Sequence, residues 1–301
     1  MQLRGASLPA SLMDLPDPVD ALYLWGRLPP VPRIAVVGTR RPTESARAFT
    51  REFVATLCQQ GVSVISGGAE GIDTTVHEEC LATSSPTLVV GPSGFSQPYP
   101  RKNRALFQEV LARGGGYVSA QNDDAVVRRH HFFLRNSLLV ALSEATVVVE
   151  APLRSGARNA AGWARKLARA LFVVPHAPWN ATGSGNLVEL QLGARMLTRP
   201  SQVIEWLESK NAHPLGDRRD EGHTLALPGL GTADVRMSAA QSASGAVEPL
   251  LALLQAHAQT LEQLLSHSQL SRSGLIERLT ELELDGVVVR DPSGLLYQLA
   301  K

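Results

Sequence analysis

Val37-Gly38-Thr39-Arg40 and Ser66-Gly67-Gly68-Ala69-Glu70-Gly71-Ile72-Asp73 each close a short apolar run, residues 34–37 and 62–65. Both runs are β-branched and of strand length. The amphipathic segment between them, about residues 44–60, has helical length, so the stretch reads strand, helix, strand. Such a unit forces parallel pairing. In open parallel sheets ligands sit beyond the carboxyl ends of the strands, where both turns fall, and glycine lets backbone N–H groups approach an anion with no Cβ in the way. Gly38, Thr39, Gly67, Gly68 and Gly71 are therefore candidate phosphate contacts, and Arg40 offers a guanidinium fork at the first turn. Gly38-Thr39-Arg40-Arg41-Pro42-Thr43 is neither G-x-G-x-x-G nor a P-loop lysine motif, which argues against a dinucleotide or a hydrolysed triphosphate.

A chain of 301 residues suggests about two domains at roughly 100–200 residues each. Cys58 and Cys80 fall in expected helices with neither metal-ligand spacing nor a disulfide framework, so they read as structural thiols in a reducing cytoplasm. No apolar run approaches the roughly 20 residues of a membrane span, and no secretory signal opens the chain, so a cytoplasmic protein without membrane contact is expected. The formal net charge is only +1. It is unevenly divided, because residues 33–207 hold 19 Lys and Arg against 13 Asp and Glu, whereas residues 246–301 hold 4 against 7. A basic first domain keeps a nucleic-acid partner open despite the neutral total.

Residues 1–32 form a proline-rich extension whose Leu22-Tyr23-Leu24-Trp25 reads as an edge strand. Further strands are expected near residues 87–91, 117–120, 146–151 and 171–175, giving a doubly wound, mostly parallel α/β domain over 33–208. Residues 209–245 lose hydrophobic periodicity and read as a flexible linker. From 246 to 301 three helical pieces (248–257, 261–267, 273–285) precede two apolar strands around an Asp291-Pro292-Ser293-Gly294 turn, the pattern of a small winged-helix domain. Thr260 and Ser271 are its expected N-caps. Its third helix carries Glu277, Glu281, Glu283 and Asp285 beside Arg272 and Arg278, which favours protein contact as much as DNA.

Asp73 and His77 stand one helical turn apart, but no third ligand is evident, so no metal is expected and Asp73 reads as an anchor for its loop. Arg101, Lys102 and Arg104 follow Tyr99-Pro100 at a loop-to-helix start. Arg128-Arg129-His130-His131-Phe132-Phe133-Leu134-Arg135-Asn136 interleaves cations with aromatics, as suits phosphate contact plus base stacking on a single strand, although the phenylalanines suit a core equally. Arg154-Ser155-Gly156-Ala157-Arg158 follows Glu150 at the carboxyl edge of the sheet, with no His-Asp partners for its serine.

These motifs, with Val149-Glu150-Ala151, Val173-Val174-Pro175, Gly185-Asn186-Leu187 and Gly193-Ala194, resemble in order those of the DprA family, also called Smf, over roughly residues 12–207. The terminal winged helix is similar to one many members carry. The resemblance implies a Rossmann-like domain that forms a homodimer, binds single-stranded DNA without strong sequence preference during natural transformation, and loads the RecA recombinase. It implies neither a cofactor nor catalytic turnover. Taken together with the reading of the residues themselves, the candidate DNA or phosphate contacts are Gly38, Thr39, Arg40, Gly67, Gly68, Gly71, Asp73, Arg101, Lys102, His131, Arg135, Asn136, Ser155, Gly156, Arg158 and Asn186.

Members usually carry Lys or Arg at the position of Glu70, Phe-Pro-Arg-Arg-Asn-Arg where this chain has Phe132-Phe133-Leu134-Arg135-Asn136-Ser137, and Ser-Gly-Ser-Leu where it has Ser155-Gly156-Ala157-Arg158. Two cations are lost and a carboxylate is gained, with Arg158 and His130-His131 placed to compensate. The expected function is single-strand binding beside a recombinase. The alternative is a nucleotide sensor or nucleoside-phosphate hydrolase on the same fold, using Glu70, Asp73 and Glu150, although the Pro-Gly-Gly-x-Gly-Thr signature of such hydrolases is absent after residues 147–149.

Overall fold

The computed structural model describes residues 1–212 except Pro18 and, further on, residues 254, 259–267, 275, 279, 282, 288–290 and 296–299. Strands β1 (Gln2–Arg4) and β2 (Ala21–Gly26) come first. The alternating part is β3 (Arg33–Val37), α1 (Glu44–Gln59), β4 (Ser63–Ser66), α2 (Ile72–Ala82), β5 (Thr87–Val90), α3 (Arg104–Ala112), β6 (Gly116–Ser119), α4 (His131–Ala141), β7 (Ala145–Val148), α5 (Gly156–Lys166), β8 (Ala170–Val173), α6 (Ser184–Gln191), β9 (Arg195–Met196) and α7 (Ser201–Ala212).

Local chemistry accounts for the helices that matter here. Thr43 caps α1 by accepting the Ala46 N–H at 3.2 Å, and Ala46, Thr50, Phe53, Val54 and Leu57 form its buried stripe. Ser155 caps α5 through the Ala157 N–H, and a face of Ala157, Ala160, Ala161 and Ala164 lets that helix lie close on the sheet.

The sheet runs β1-β2-β6-β5-β4-β3-β7-β8-β9. From β6 through β9 neighbours are parallel, and β2 joins β6 antiparallel. The expected edge strand is thus an inner one, because β1 pairs outside β2 and takes the edge. The strand expected over 146–151 runs instead over Ala145–Val148. On one face α1, α2 and α7 pack Phe53, Val54, Val76 and Val203 against Ile34, Val36 and Val147. On the other, α4 and α5 pack Leu138, Leu139, Ala160 and Ala164 against Ala35, Val37 and Val148. The winding direction reverses between β3 and β7, which opens a crevice between their carboxyl ends.

The chain divides into compact units Met1–Asp217 and Arg218–Lys301. In the second, α8 (Leu261–His267), β10 (Gln259–Thr260), β11 (Val288–Arg290) and β12 (Leu296–Leu299) are described, with a three-stranded sheet in the order β10-β12-β11. Leu254, Leu264, Leu275, Leu279, Leu282 and Val288 form its core. Thr260 and Gln263 exchange the two bonds of a capping box at the start of α8. Strand β10 was not expected, and Ser271, the 291–294 turn and the 213–245 stretch lie outside the described residues. Among the described residues no helix is long and apolar enough to cross a membrane.

Gly71, at φ +84°, has no room for a Cβ beside the backbone of Thr39 and Arg40, whereas Gly61, at φ +71°, faces open space. Gly61→Ala should cost about 1 kcal/mol of unfolding free energy in urea, the ordinary penalty of a left-handed alanine. Gly71→Ala should cost at least ~2 kcal/mol more, because a backbone contact must also give way.

Candidate functional site

The two glycine turns interlock. A Cβ on Gly38 would strike Ile72, and one on Gly71 would strike Thr39 and Arg40, so each glycine is fixed by the opposite turn. Thr39 joins them to a third loop, donating its N–H to the Glu150 carbonyl at 2.6 Å and accepting the Ile72 N–H at 3.2 Å. Glu150, fully buried, accepts the Thr43 N–H at 2.7 Å on one carboxylate oxygen. Its other oxygen accepts the Thr43 hydroxyl at 3.1 Å and the Thr182 hydroxyl at 2.6 Å. The floor is therefore a knot of three loops held by a carboxylate with no free oxygen.

Beneath the second turn lies a buried ion pair. The Arg135 guanidinium, reaching from α4, stands 3.6 Å from Asp73 Oδ2, which also accepts the Ala69 N–H at 3.2 Å. Burial pushes the Asp73 carboxyl up and the Arg135 guanidinium down, and their mutual attraction opposes both shifts. Gly67 lacks a Cβ where the guanidinium lies. His77, one turn after Asp73, points elsewhere, with Nδ1 3.1 Å from the Thr87 hydroxyl. Burial, then the Arg135 charge, depresses its pKa to about 3, so it is neutral.

Above this floor opens a cleft of about 370 Å³, lined by Gly38 to Arg41, Ala69, Asp73, Phe132, Arg135, Asn136, Pro152 and the stretch from Arg154 to Ala157. Arg40, Arg41 and Arg154 are exposed. The Arg40 guanidinium lies 5.7 Å from the centre of the Phe132 ring, which meets Tyr99 edge-on at 5.3 Å. The cleft thus offers exposed cations and a half-buried aromatic wall.

Several candidates named from sequence prove to be scaffold. Arg158 donates to the buried Glu189 at 2.7 Å and to the Leu153 carbonyl at 2.9 Å, while Arg165 takes the other oxygen of Glu189, so Arg158 does not replace a missing surface cation. Asn186 is fully buried, with its amide nitrogen near the Val148, Val149 and Val174 carbonyls, and offers no donor to a ligand. The Asn136 amide goes to Gly156 O and Asn159 Oδ1, and Ser155 is occupied as a cap although both line the cleft. His131 is buried, accepts the Arg128 N–H, and is lowered in pKa by burial first and then by His130. Lys102 is tied to Glu70 at 2.5 Å, while Arg101 is exposed. Gly68 packs under Phe107 and Val89, its carbonyl held by Asn103 at 3.0 Å. Arg41 and Arg154 were not singled out from the sequence, although Arg41 adjoins the first turn and Arg154 opens the Arg154-Ser155-Gly156-Ala157-Arg158 loop; Phe132, named there for stacking or core, lines the cleft.

The model of the DNA recombination-mediator protein A family matches residues 2–208. The chain belongs to this DprA/Smf family. A model of the DprA winged helix domain matches residues 236–294, which assigns the C-terminal unit. Protein Smf of Synechocystis is 31% identical over 96% of this chain and 77% of its own length. The putative DNA processing protein DprA of Mycobacterium tuberculosis is 36% identical over 71% of this chain, which spans only 59% of that relative. The structure of DNA processing protein A from Helicobacter pylori, described for its single-stranded DNA binding mode, matches with a TM-score of 0.62 and 28% identity over 69% of this chain and 96% of that one. Its Streptococcus pneumoniae counterpart shares the fold with a TM-score of 0.64 at 24% identity, covering 68% of this chain and 73% of that one.

Removing one member of the buried pair strands the other. Asp73→Ala should lower unfolding free energy by about 3–5 kcal/mol in urea, since it leaves the Arg135 charge buried with its Nε already unpartnered. The double variant Asp73→Leu/Arg135→Met should recover most of that loss. A double variant as unstable as Asp73→Ala would mean that cavity formation, and not the uncompensated charge, sets the cost.

Proposed function

We propose that the cleft binds single-stranded DNA by its phosphates, with little dependence on base sequence. The observation that carries this reading is the division of charge at the cleft. Arg40, Arg41 and Arg154 are exposed on its rim, whereas the carboxylates beside it are engaged, Glu150 with hydroxyls and an amide, Asp73 with Arg135. A strand threading the crevice meets guanidinium groups for its backbone and the Phe132 face for a base, the combination that suits sequence-tolerant single-strand binding. The structure described for the single-strand binding mode of the H. pylori relative supports the same reading.

The wider reading rests on family membership. A cytoplasmic homodimer, formed through the Rossmann-like domain, holds the incoming strand and passes it to the RecA recombinase, while the acidic winged helix at 246–301 contacts a protein. No catalytic turnover is assigned. A nucleoside-phosphate hydrolase would draw on Glu70, Asp73 and Glu150, and each of these carboxylates already faces a cation or a full set of donors.

The test is a titration of single-stranded and double-stranded oligonucleotides and of free mononucleotides at two salt concentrations. The proposal expects a long single strand to bind best, with a clear salt slope. Arg40→Ala should weaken binding alike on every sequence and flatten the plot of log affinity against log salt by about 0.7, the value of one single-strand phosphate contact. Unchanged affinity in a folded Arg40→Ala protein would take the cleft out of DNA binding.

Glu70→Lys should act in the opposite direction. It removes a carboxylate and frees Lys102, so single-strand affinity should rise and its salt dependence should steepen. Tight mononucleotide binding that this change abolishes would instead show a carboxylate accepting a ribose hydroxyl, and so a nucleotide site.

A further inference from the structure

Away from the cleft, the structure brings together the chain's only two cysteines, which the sequence spaces 22 residues apart. Cys58 lies in the last turn of α1 and Cys80 near the end of α2, and the packing of these helices sets their sulfurs 4.0 Å apart. Both thiols are free. Their exposure differs in a way that matters chemically, because Cys58 is half-buried whereas Cys80 is fully buried. A small oxidant has access to Cys58 and not to Cys80. The environment also divides their acidity. The Cys80 thiol, hydrogen-bonded to Cys58, lowers the Cys58 pKa to about 6, with the Ser85 and Thr83 hydroxyls adding to the effect against burial and the Glu79 charge. The same interaction and burial push Cys80 well above the ordinary thiol range. Cys58 is thus the more acidic of the two thiols as well as the more exposed, which makes it the readier nucleophile.

We propose that Cys58 and Cys80 are a peroxide-reactive dithiol, in which Cys58 is oxidised first and Cys80 resolves it to an internal disulfide. The Cys58 thiolate attacks one oxygen of hydrogen peroxide, the O–O bond breaks, and hydroxide leaves and is protonated to water, so that Cys58 becomes a sulfenic acid. The Cys80 sulfur then attacks the Cys58 sulfur, the S–O bond breaks, and hydroxide departs with the Cys80 proton as a second water. The two sulfurs lose two electrons in all, and the two peroxide oxygens gain them. Closing from 4.0 Å to a disulfide bond of about 2.05 Å requires the sulfurs to approach by about 2 Å. The loop so closed contains β4 and the whole second glycine turn, so the crosslink constrains the unfolded chain and raises Tm.

The experiment uses the full chain, reduced and then treated with a few equivalents of hydrogen peroxide, quenched with an alkylating agent after unfolding, and read by intact mass and peptide mapping. The expected product has lost two hydrogens, takes up no alkyl groups, joins the Cys58 and Cys80 peptides, and melts several degrees higher than the reduced protein. In C58S the remaining Cys80 should stay fully alkylatable at the same peroxide dose. In C80A, Cys58 should be captured as a sulfenic acid by dimedone. Should C80A fail to fold, wild type and C58S decide the matter alone. Two free thiols after treatment, sulfinic acid at Cys58 without a crosslink, disulfides only between chains, or equal oxidation of Cys80 in C58S would each overturn the proposal.

Discussion

The backbone of Thr39 is the constraint on which the cleft depends. Its N–H is committed to the loop after β7 and its carbonyl to the first residue of α2, so one residue, through the two peptide groups that flank it, ties together the loops that follow β3, β4 and β7. Such a tie needs close approach on both sides, which is why Gly38 and Gly71 occupy the points where the turns touch. Their lack of a Cβ serves the packing of one turn on another before it serves any ligand. The Thr39, Ala69 and Ile72 amides are spent inside the protein, so this site differs from a loop that cradles an anion wholly in backbone N–H groups.

Charge around the cleft follows from the same knot. Buried carboxylates are tolerable only when their oxygens are satisfied, and here they are satisfied by the loops themselves. Glu150 takes donors from the start of α1 and from Thr182, Asp73 pairs with Arg135, and Glu189 holds Arg158 and Arg165 together. Structure therefore consumes three arginines along with its acids, and what reaches the rim is the arginines that have no such task. The rim is basic because the acids beneath it are paired.

Much of this organisation was legible in the sequence. Strands and helices alternate where β-branched runs and amphipathic segments predict them, and the crevice falls where two glycine turns meet the carboxyl ends of parallel strands. Two features escaped because they are set by pairing between distant segments. The antiparallel β2 lies inside β1, and no period within residues 22–25 records which strand takes the edge. Likewise, arginines in one motif look alike as letters. Arg135 faces inward with its neighbours Leu138 and Leu139 because it sits within α4, whereas Arg40 projects from a turn. Arg158 was misjudged because its partner, Glu189, arrives from 31 residues away. The contact between Cys58 and Cys80 has the same origin, since it exists only once α1 and α2 pack.

The small number of exposed arginines lining the cleft bears on how such a site would hold a strand. Three phosphate contacts give a salt slope of about −2 for single-stranded DNA, with affinity that falls quickly as ionic strength rises. Stacking on Phe132 adds a contribution that salt does not screen, so a base on the ring would matter more here than in a cleft richer in cations. The cation over that ring has two effects. Arg40 lies where it can neutralise a phosphate, and it also covers the aromatic face that a base would use. Both contacts become available together only if the guanidinium swings toward the backbone as the base arrives. Phosphate binding and base stacking are then coupled through one side chain, and a short cationic rim can favour an extended single strand over a free phosphate.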